Sequence, residues 1–415
     1  MREMKDSRIV WIGAIPKRWQ LSKIGSLYTQ RNEKVSDKDY QPLSVTMQGI
    51  LPQLATAAKT DDGDNRKLVR VGDFAINSRS DRRGSCGISP LDGSVSLINI
   101  ILTPRTAMHP GYYNWLFNTT LFADEFYKWG HGIVADLWTT RWQEMKSITV
   151  PVPEYAEQER IAAFLDAECA EIDVVLEKTR ASIEEYKKLK QAVITQAVTK
   201  GVRGDRPMKD SGIEWIGEIP AEWEVLNLVA HTSMLTPMRD RPENLGGSIP
   251  WVRIEDFDGK YIEASKAGLG VSMETVKEMN LKVYPVGTVL CTSSCIMGKC
   301  AIASRELVSN QRFIGIIPDR TTDRTYLYYL MTSNAERMNF LSTGALQANL
   351  SRSAFEHLKV QFPPYSEQQE IAAYLDDKCE RIDALISKKQ QYLTEIENYK
   401  KSLIYEYVTG KKEVV

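Results

Sequence analysis

The chain has 415 residues, more than one hydrophobic core usually fills, so two or more domains are expected. Its 53 Lys and Arg balance 54 Asp and Glu to a net charge of −1, which excludes a uniformly basic, histone-like binder but leaves room for a local basic surface. Hydrophobic residues at 43% and charged residues at 26% suit a folded globular chain and not a disordered one. No stretch approaches the ~18 apolar residues of a membrane span. The opening MREMKDSRIVWIG lacks the apolar run of a secretory signal, so a cytoplasmic location is expected.

In chain order, the first block is MKDSRIVWIGAIP at 4–16, followed by Trp19. A strand is predicted over VGDFAINS (71–78), leading into the basic turn Arg79-Ser80-Asp81-Arg82-Arg83-Gly84-Ser85. LINIILTP (97–104) is β-branched and strand-like, and GYYNWLFNTTLFADEFYKW (111–129) is helical. A polar stretch with Thr139, Thr140 and Arg141 precedes a segment from Glu154 to Lys200 that lacks Gly and Pro and is rich in helix formers. Then GVRGDRP connects to MKDSGIEWIGEIP at 208–220. Strand-like runs follow at 249–257, 286–293 and 313–318, and a helical one at 325–341. A polar loop with Gln347, Asn349, Ser351 and Arg352 leads to a second Gly- and Pro-free stretch from Tyr365 to Thr409.

The chain is therefore written twice. Residues 4–16 and 208–220 share ten of thirteen positions at an offset of 204, and Trp19 matches Trp223. EYAEQERIAAFLDAECAEID at 154–173 matches PYSEQQEIAAYLDDKCERID at 364–383 at an offset of 210, so the second repeat is about six residues longer in its middle. The middles match weakly: VGDFAINS pairs with VGTVLCTS, and Cys86-Gly-Ile with Cys300-Ala-Ile. This is a duplicated domain, far too long for a solenoid repeat.

Both tails place apolar residues at steps of three and four, the mark of a coiled-coil seam. In the first tail these are Ile161, Leu165, Cys169, Ile172, Leu176, Ile183, Tyr186, Leu189 and Val193. In the second they are Ile371, Leu375, Cys379, Ile382, Ile386, Leu393, Ile396, Tyr399 and Leu403. Pro153 and Pro364 precede the starts, and Gly201 and Gly410 follow the ends. Each helix is expected to reach roughly 70 Å at about 1.5 Å per residue. The short connection after Lys200 makes the helices antiparallel, with one globular part at each end and the chain termini close together. The expected fold class is α+β: two tandem-repeated, mixed, strand-rich domains separated by an antiparallel two-helix coiled coil, pseudo-twofold. The expected boundaries are a first domain at 1–150, a spacer helix at 151–205, a second domain at 206–359 and a second spacer helix at 360–415.

Catalytic signatures are missing. There is no phosphate loop of the GxxxxGKS type, no GxSxG and no HExxH. Pro363-Pro364-Tyr365 resembles part of the N/D-PP-Y/F site of amino-methyltransferases, but Phe362 stands where the amide or acid is needed, so it reads as a helix start. Asp376-Asp377-Lys378 is read as a solvated helix face. Cys291, Cys295 and Cys300 have no CxxC spacing and no nearby His, so they read as buried or half-buried thiols and not as zinc ligands. The four histidines leave little material for metal or triad chemistry. No catalytic or metal-binding residue is expected.

Charge is unevenly spread. Residues 1–150 hold 20 Lys and Arg against 15 Asp and Glu, whereas 151–200 hold 7 against 10 and 360–415 hold 8 against 10. The basic turn in the first repeat suits DNA: Arg makes bidentate contacts to guanine and phosphate, and Ser donates to phosphate oxygens. The second repeat has Ser293, Ser294 and Lys299 there.

The blocks DSRIVWIGAIPKRW (6–19), DSGIEWIGEIPAEW (210–223) and EQ-x-x-IAA-[FY]-LD (157–166 and 367–376), each of the last with its long helix, resemble the target-recognition domains of specificity subunits in type I restriction–modification systems. Ser309-Asn310-Gln311-Arg312-Phe313 also resembles a stretch of that family, although the first repeat has no clear counterpart (Ser96-Leu97-Ile98-Asn99). The resemblance implies a non-catalytic scaffold that binds double-stranded DNA. Each domain would read half of a bipartite site, the helices would act as spacer, two modification (methyltransferase) subunits would dock, and restriction subunits could join. No cofactor is implied on this chain; S-adenosylmethionine and ATP belong to the partner subunits. The spacer would cap the half-site separation at about 20 base pairs of ~3.4 Å, and a gap near one helical turn fits better. Candidate DNA-binding residues are Arg79, Ser80, Arg82 and Arg83 in the first repeat and Lys299, Asn310, Gln311 and Arg312 in the second, then Gln347, Asn349, Ser351 and Arg352 with Thr139, Thr140 and Arg141. Two other readings are a self-sufficient DNA methyltransferase or nuclease, and a coiled-coil adaptor binding only proteins.

Overall fold

Each repeat opens on the same small hairpin, pairing Met4–Asp6 with Ala14–Pro16 and Met208–Asp210 with Glu218–Pro220. The shared Asp-Ser explains its turn. Asp6 and Asp210 accept backbone N–H bonds from Arg8 and Gly212 at 2.9 and 3.0 Å, and the Ser7 and Ser211 hydroxyls accept from Ile9 and Ile213 at 3.1 Å. The residue after Ser lies in the left-handed region, φ +70° at Gly212 and +59° at Arg8, so the first repeat puts Arg where Gly is easier. The computed structural model describes residues 2–53, 63–132, 138–237, 241–294, 297–342 and 349–414, with the backbone alone at Ser80.

The structure divides into two units, residues 1–180 with 390–415, and residues 181–389. Each has mixed helix and strand content around a central antiparallel sheet. In the first unit Phe74–Asn77 lies between Cys86–Ile88 and Asn99–Pro104, with Tyr28–Arg31 outermost. The second unit repeats this order: Val289–Thr292 between Cys300–Ala303 and Phe313–Pro318, with Thr232–Leu235 outermost. It adds Tyr261–Ile262, parallel to Cys300–Ala303. The middles thus share a strand order that their sequences barely show. The run at 249–257 is strand only over Ile249–Val252. Beyond it Asp256 accepts from Arg253 N at 2.7 Å and Lys266 N at 2.8 Å, winding Ile254–Asp256 into a 3₁₀ turn.

Each helical run in the middles is broken in two. Thr119 separates Pro110–Phe117 from Thr120–Lys128, donating to Leu116 O at 2.8 Å and capping Phe122 N at 3.2 Å. Asn334 separates Arg324–Ser333 from Ala335–Leu341 and donates to Leu330 O at 2.8 Å.

The long helices run Tyr155–Lys200 and Tyr365–Val408, and Gly201 and Gly410 follow them at φ +76° and +72°. Within the first unit Phe164 packs on Tyr407 at 4.4 Å, Asp173 meets Lys400 at 2.6 Å and Arg180 meets Glu397 at 2.6 Å. Within the second, Lys190 meets Asp383 at 2.7 Å and Arg203 meets Glu370 at 2.8 Å. One residue number rises as its partner's falls, so the segments pack antiparallel inside each unit. Ile161, Leu165, Cys169, Leu176 and Ile183 are buried, as are Ile371, Leu375, Cys379, Ile382 and Leu403; Ile172, Ile386 and Leu393 are half-buried. Leu189 and Tyr399 do not belong to the seam: they are 48% and 55% exposed, and their neighbours Lys190 and Lys400 turn inward to the ion pairs. A straight helix drifts by ~20° per heptad, enough over this length to move the inner face by about one residue.

The Trp and Glu-Gln blocks fasten the globular part of each unit to a helix start. Buried Glu157 accepts the Trp19 indole N–H at 2.8 Å, Arg2 at 2.8 Å and Arg18 at 3.1 Å. Buried Glu367 accepts the Trp223 indole at 3.1 Å and lies 2.6 Å from the Arg206 guanidinium. Both carboxylates sit in a helix's first turn, where its dipole favours them. The adjacent glutamines tie the same turn to the start of a middle helix, Gln158 accepting from His109 N and Gln368 from Asp323 N at 2.9 and 2.8 Å. Arg2 also reaches Lys412 O at 3.3 Å, which brings the two ends of the chain together. About two turns further along each helix, Asp166 accepts from Trp115 at 2.8 Å, and Asp376 accepts from Tyr329 and Lys260 at 2.7 Å each. Asp376 is thus a tether and not simply part of a solvated face.

Candidate nucleic-acid interface

In both units the polar candidates gather where the central strands run out. The strand Phe74–Asn77 continues through Ser78 to Arg79, and the segment before the last short helix closes onto it: Thr140 N donates to Ser78 O at 3.0 Å, and Arg79 forms a bridge with Thr139. The second unit makes the same bonds with different side chains. Leu350 N donates to Ser293 O at 2.9 Å, and Ser294 bridges Asn349. Position for position, Arg79 corresponds to Ser294, Thr139 to Asn349, and Arg141 to Ser351, each of the last two preceding a short helix (Trp142–Met145 or Arg352–Glu356).

Arg79 and Arg82 are exposed, and Arg79 has no side-chain partner among the described residues; Arg82 lies 3.8 Å from its neighbour Asp81. Ser80 begins a 3₁₀ turn over Ser80–Arg82. Arg83 is less available, paired with Asp124 and 6.0 Å from the centre of the Tyr127 ring. Ser85, the turn's second hydroxyl, is buried. Thr140 is a correction: it is fully buried and donates to Phe126 O at 2.9 Å, so it holds the loop and cannot touch a ligand. Thr139 is half-buried and Arg141 exposed, its backbone N–H held by Glu144 at 3.0 Å.

In the second unit Lys299 is exposed, its ammonium 3.3 Å from Ile254 O. Gln311 and Arg312 are exposed beside it, because Ser293 N donates to Arg312 O at 2.8 Å. Asn310 is half-buried and spends its side-chain oxygen on Arg312 N at 3.2 Å. Asn349 is exposed. The Ser351 hydroxyl caps the helix by accepting from Ala354 N at 3.2 Å, and Arg352 pairs with Glu356 at 2.7 Å, so neither is wholly free for DNA. Gln347 lies outside the described residues. Strand register also supplies the counterpart missing from the sequence comparison: Asn99 faces Asn77 as Phe313 faces Thr292, so Ser309–Arg312 corresponds to residues 95–98.

Sequence reading missed the Ser293/Ser78 hinge. Ser78 donates to Ile98 O at 2.5 Å, so the serine closing VGDFAINS fixes where the turn departs. Its recurrence as Ser293 in VGTVLCTS was the available signal. The arrangement offers hydrogen-bonding and cationic groups on a rigid sheet end. Among the described residues no cluster of three or more His, Cys, Asp or Glu is placed to hold a metal ion, and no helix is long and apolar enough to cross a membrane.

Comparison with known proteins fits this geometry. The family described as type I restriction modification DNA specificity domain matches residues 224–397. The MjaIX specificity subunit of a type I restriction enzyme from Methanocaldococcus jannaschii is 35% identical over 191 residues, so the match spans 43% of each chain. A putative type I restriction enzyme MjaX specificity subunit from the same organism is 23% identical over 420 residues, covering 100% of this chain and 93% of that one. A solved chain from a study of complex assembly and conformational transition in a type I R–M system shares the fold with a TM-score of 0.75 at 14% identity, covering 96% of this chain and 99% of that one. Residues 224–397 thus carry the DNA specificity domain of restriction–modification proteins. Along its whole length the chain is similar to specificity subunits of type I systems.

Proposed function

We propose that the chain recognises a bipartite DNA site without catalysing a reaction, each globular part reading one half. One observation carries this reading: two sheet ends share the same backbone closure, Thr140 N to Ser78 O and Leu350 N to Ser293 O, yet expose Arg79 beside Thr139 in one case and Asn349 over a buried Ser294 in the other. A conserved scaffold with exchanged side chains is what reading two different half-sites requires, because base edges are distinguished by donor and acceptor pattern. Arg79 and Arg82 supply phosphate or guanine contacts, and Asn349, Gln311 and Lys299 the second set.

The two long helices act as the spacer of a pseudo-twofold arrangement and as the docking face for two methyltransferase subunits, with restriction subunits joining in the full complex. S-adenosylmethionine and ATP act on those partners. The near-neutral net charge makes the isolated chain a weak DNA binder whose affinity rises when partners add basic surface. Sequencing methylated adenines in cells with and without this gene tests the reading. A bipartite motif should vanish on deletion, and an unchanged methylation pattern refutes it.

A further inference from the structure

We propose that Cys291 and Cys300 form a modification site: a thiol pair that oxidises reversibly to a cross-strand disulfide at the base of the hairpin carrying Ser294 and Lys299. The two residues are directly paired in antiparallel register on neighbouring strands. Thr292 N donates to Lys299 O at 3.0 Å, which makes 292 and 299 a hydrogen-bonded pair and 291 and 300 the adjoining non-hydrogen-bonded one. Opposed residues at such positions have Cα atoms ~4.5 Å apart, inside the range a disulfide spans. The sulfurs already lie 2.7 Å apart in the sheet. The first unit is a built-in control, because its Cys86 faces Ile76 and has no thiol across the strand.

Burial sets the order of events. Cys291 is fully enclosed and its thiol is pushed up by burial and by the neighbouring sulfur, whereas Cys300 keeps 7% of its surface. A peroxide therefore meets Cys300 first: its sulfur takes one oxygen, giving a sulfenic acid and water. Cys291 sulfur then attacks that sulfur, the S–O bond breaks, and the hydroxide leaves with the Cys291 proton as a second water. Two thiols are oxidised by two electrons and one peroxide is reduced. A small-molecule thiol reverses the step by exchange.

The link closes a ring around the segment that exposes Lys299, so its consequence for recognition rests on the DNA reading above, while its formation does not. The test treats the full chain with hydrogen peroxide, unfolds it, alkylates it and maps the peptides. The expected result is loss of two of the six thiols, a peptide joining Cys291 to Cys300, and its return to free thiols with reductant. Six alkylated cysteines, or a bridge that joins either residue to Cys295 or to another chain instead, overturns the proposal. The Cys300→Ser variant should give no such bridge, and Cys86 should stay alkylatable throughout. DNA retention by the oxidised chain, assayed with its methyltransferase partner, should change severalfold for the half-site read by the second unit. Unchanged retention with the bridge present removes the regulatory consequence and leaves the chemistry standing.

Discussion

Replacing Glu367 by Gln perturbs the point where the second unit's Trp block meets its long helix. The carboxylate has no exposed surface, accepts the Trp223 indole at 3.1 Å and lies 2.6 Å from Arg206. Gln keeps the shape but removes the charge and turns an NH₂ toward a donor. Removing one partner of a buried ion pair costs ~3–5 kcal/mol, because the other charge is left uncompensated. Arg206 retains Glu222 at 3.0 Å and Lys200 O at 3.1 Å, so the lower end applies, about 3 kcal/mol. For a unit of this size each kcal/mol shifts Tm by ~2–4 °C, giving a fall on the order of 6–12 °C. Calorimetry and urea unfolding of the full chain measure it. Glu157→Gln should behave alike, since Glu157 accepts from Trp19, Arg2 and Arg18. Glu370→Gln breaks only a solvent-screened, exposed pair with Arg203 and should leave Tm nearly unchanged. If Glu367→Gln leaves Tm equally unmoved, the repeated Trp and Glu are not what fastens the sheet domain to its helix.

Other outcomes follow from the same structure. Replacing Arg79 and Arg82 together by Ala should weaken DNA binding in the assembled complex and, if both touch phosphate, reduce the salt slope by up to ~2; equal affinity at every salt concentration removes the assignment. Thr140→Val should leave DNA affinity unchanged while costing ~0.5–1.5 kcal/mol in chemical denaturation, since it removes the hydroxyl's bond to Phe126 O and leaves that carbonyl only Trp129 N at 3.3 Å. Leu375→Ala, in the buried seam, should cost ~2–5 kcal/mol by the same measurement. At Gly315 an added Cβ would fall on the buried Tyr284 ring, so Gly315→Ala should destabilise by ~1–3 kcal/mol with its backbone conformation unchanged.

Repetition and periodicity carried most of what could be read in advance. The paired Trp and Glu-Gln blocks stood out because one buried contact is needed twice, and identical geometry holds the same residues at 19 and 157 as at 223 and 367. Helix extent was legible because Pro153, Pro364, Gly201 and Gly410 punctuate it. Individual interface residues were not. Arg83 and Thr140 look as available in the sequence as Arg82 and Thr139, but availability depends on what a side chain meets in the fold: Arg83 is exposed yet paired with Asp124, and Thr140 is buried against the Phe126 carbonyl. The seam slipped at Leu189 and Tyr399 for a related reason: a three-four pattern assumes a fixed phase, and a real helix rotates away from it.

The sequence by itself determined the duplication, the two long helices and the absence of familiar catalytic motifs, because these are encoded locally or by self-comparison. Tertiary structure alone decided that the divergent middles share one strand order, since pairing such as Asn99 with Asn77 and Phe313 with Thr292 joins segments far apart in the chain and survives wholesale exchange of side chains. It also decided which polar residues share a surface. Arg79 meets Thr139, and Ser294 meets Asn349, only because a carbonyl on a strand-end serine captures a backbone N–H some sixty residues later.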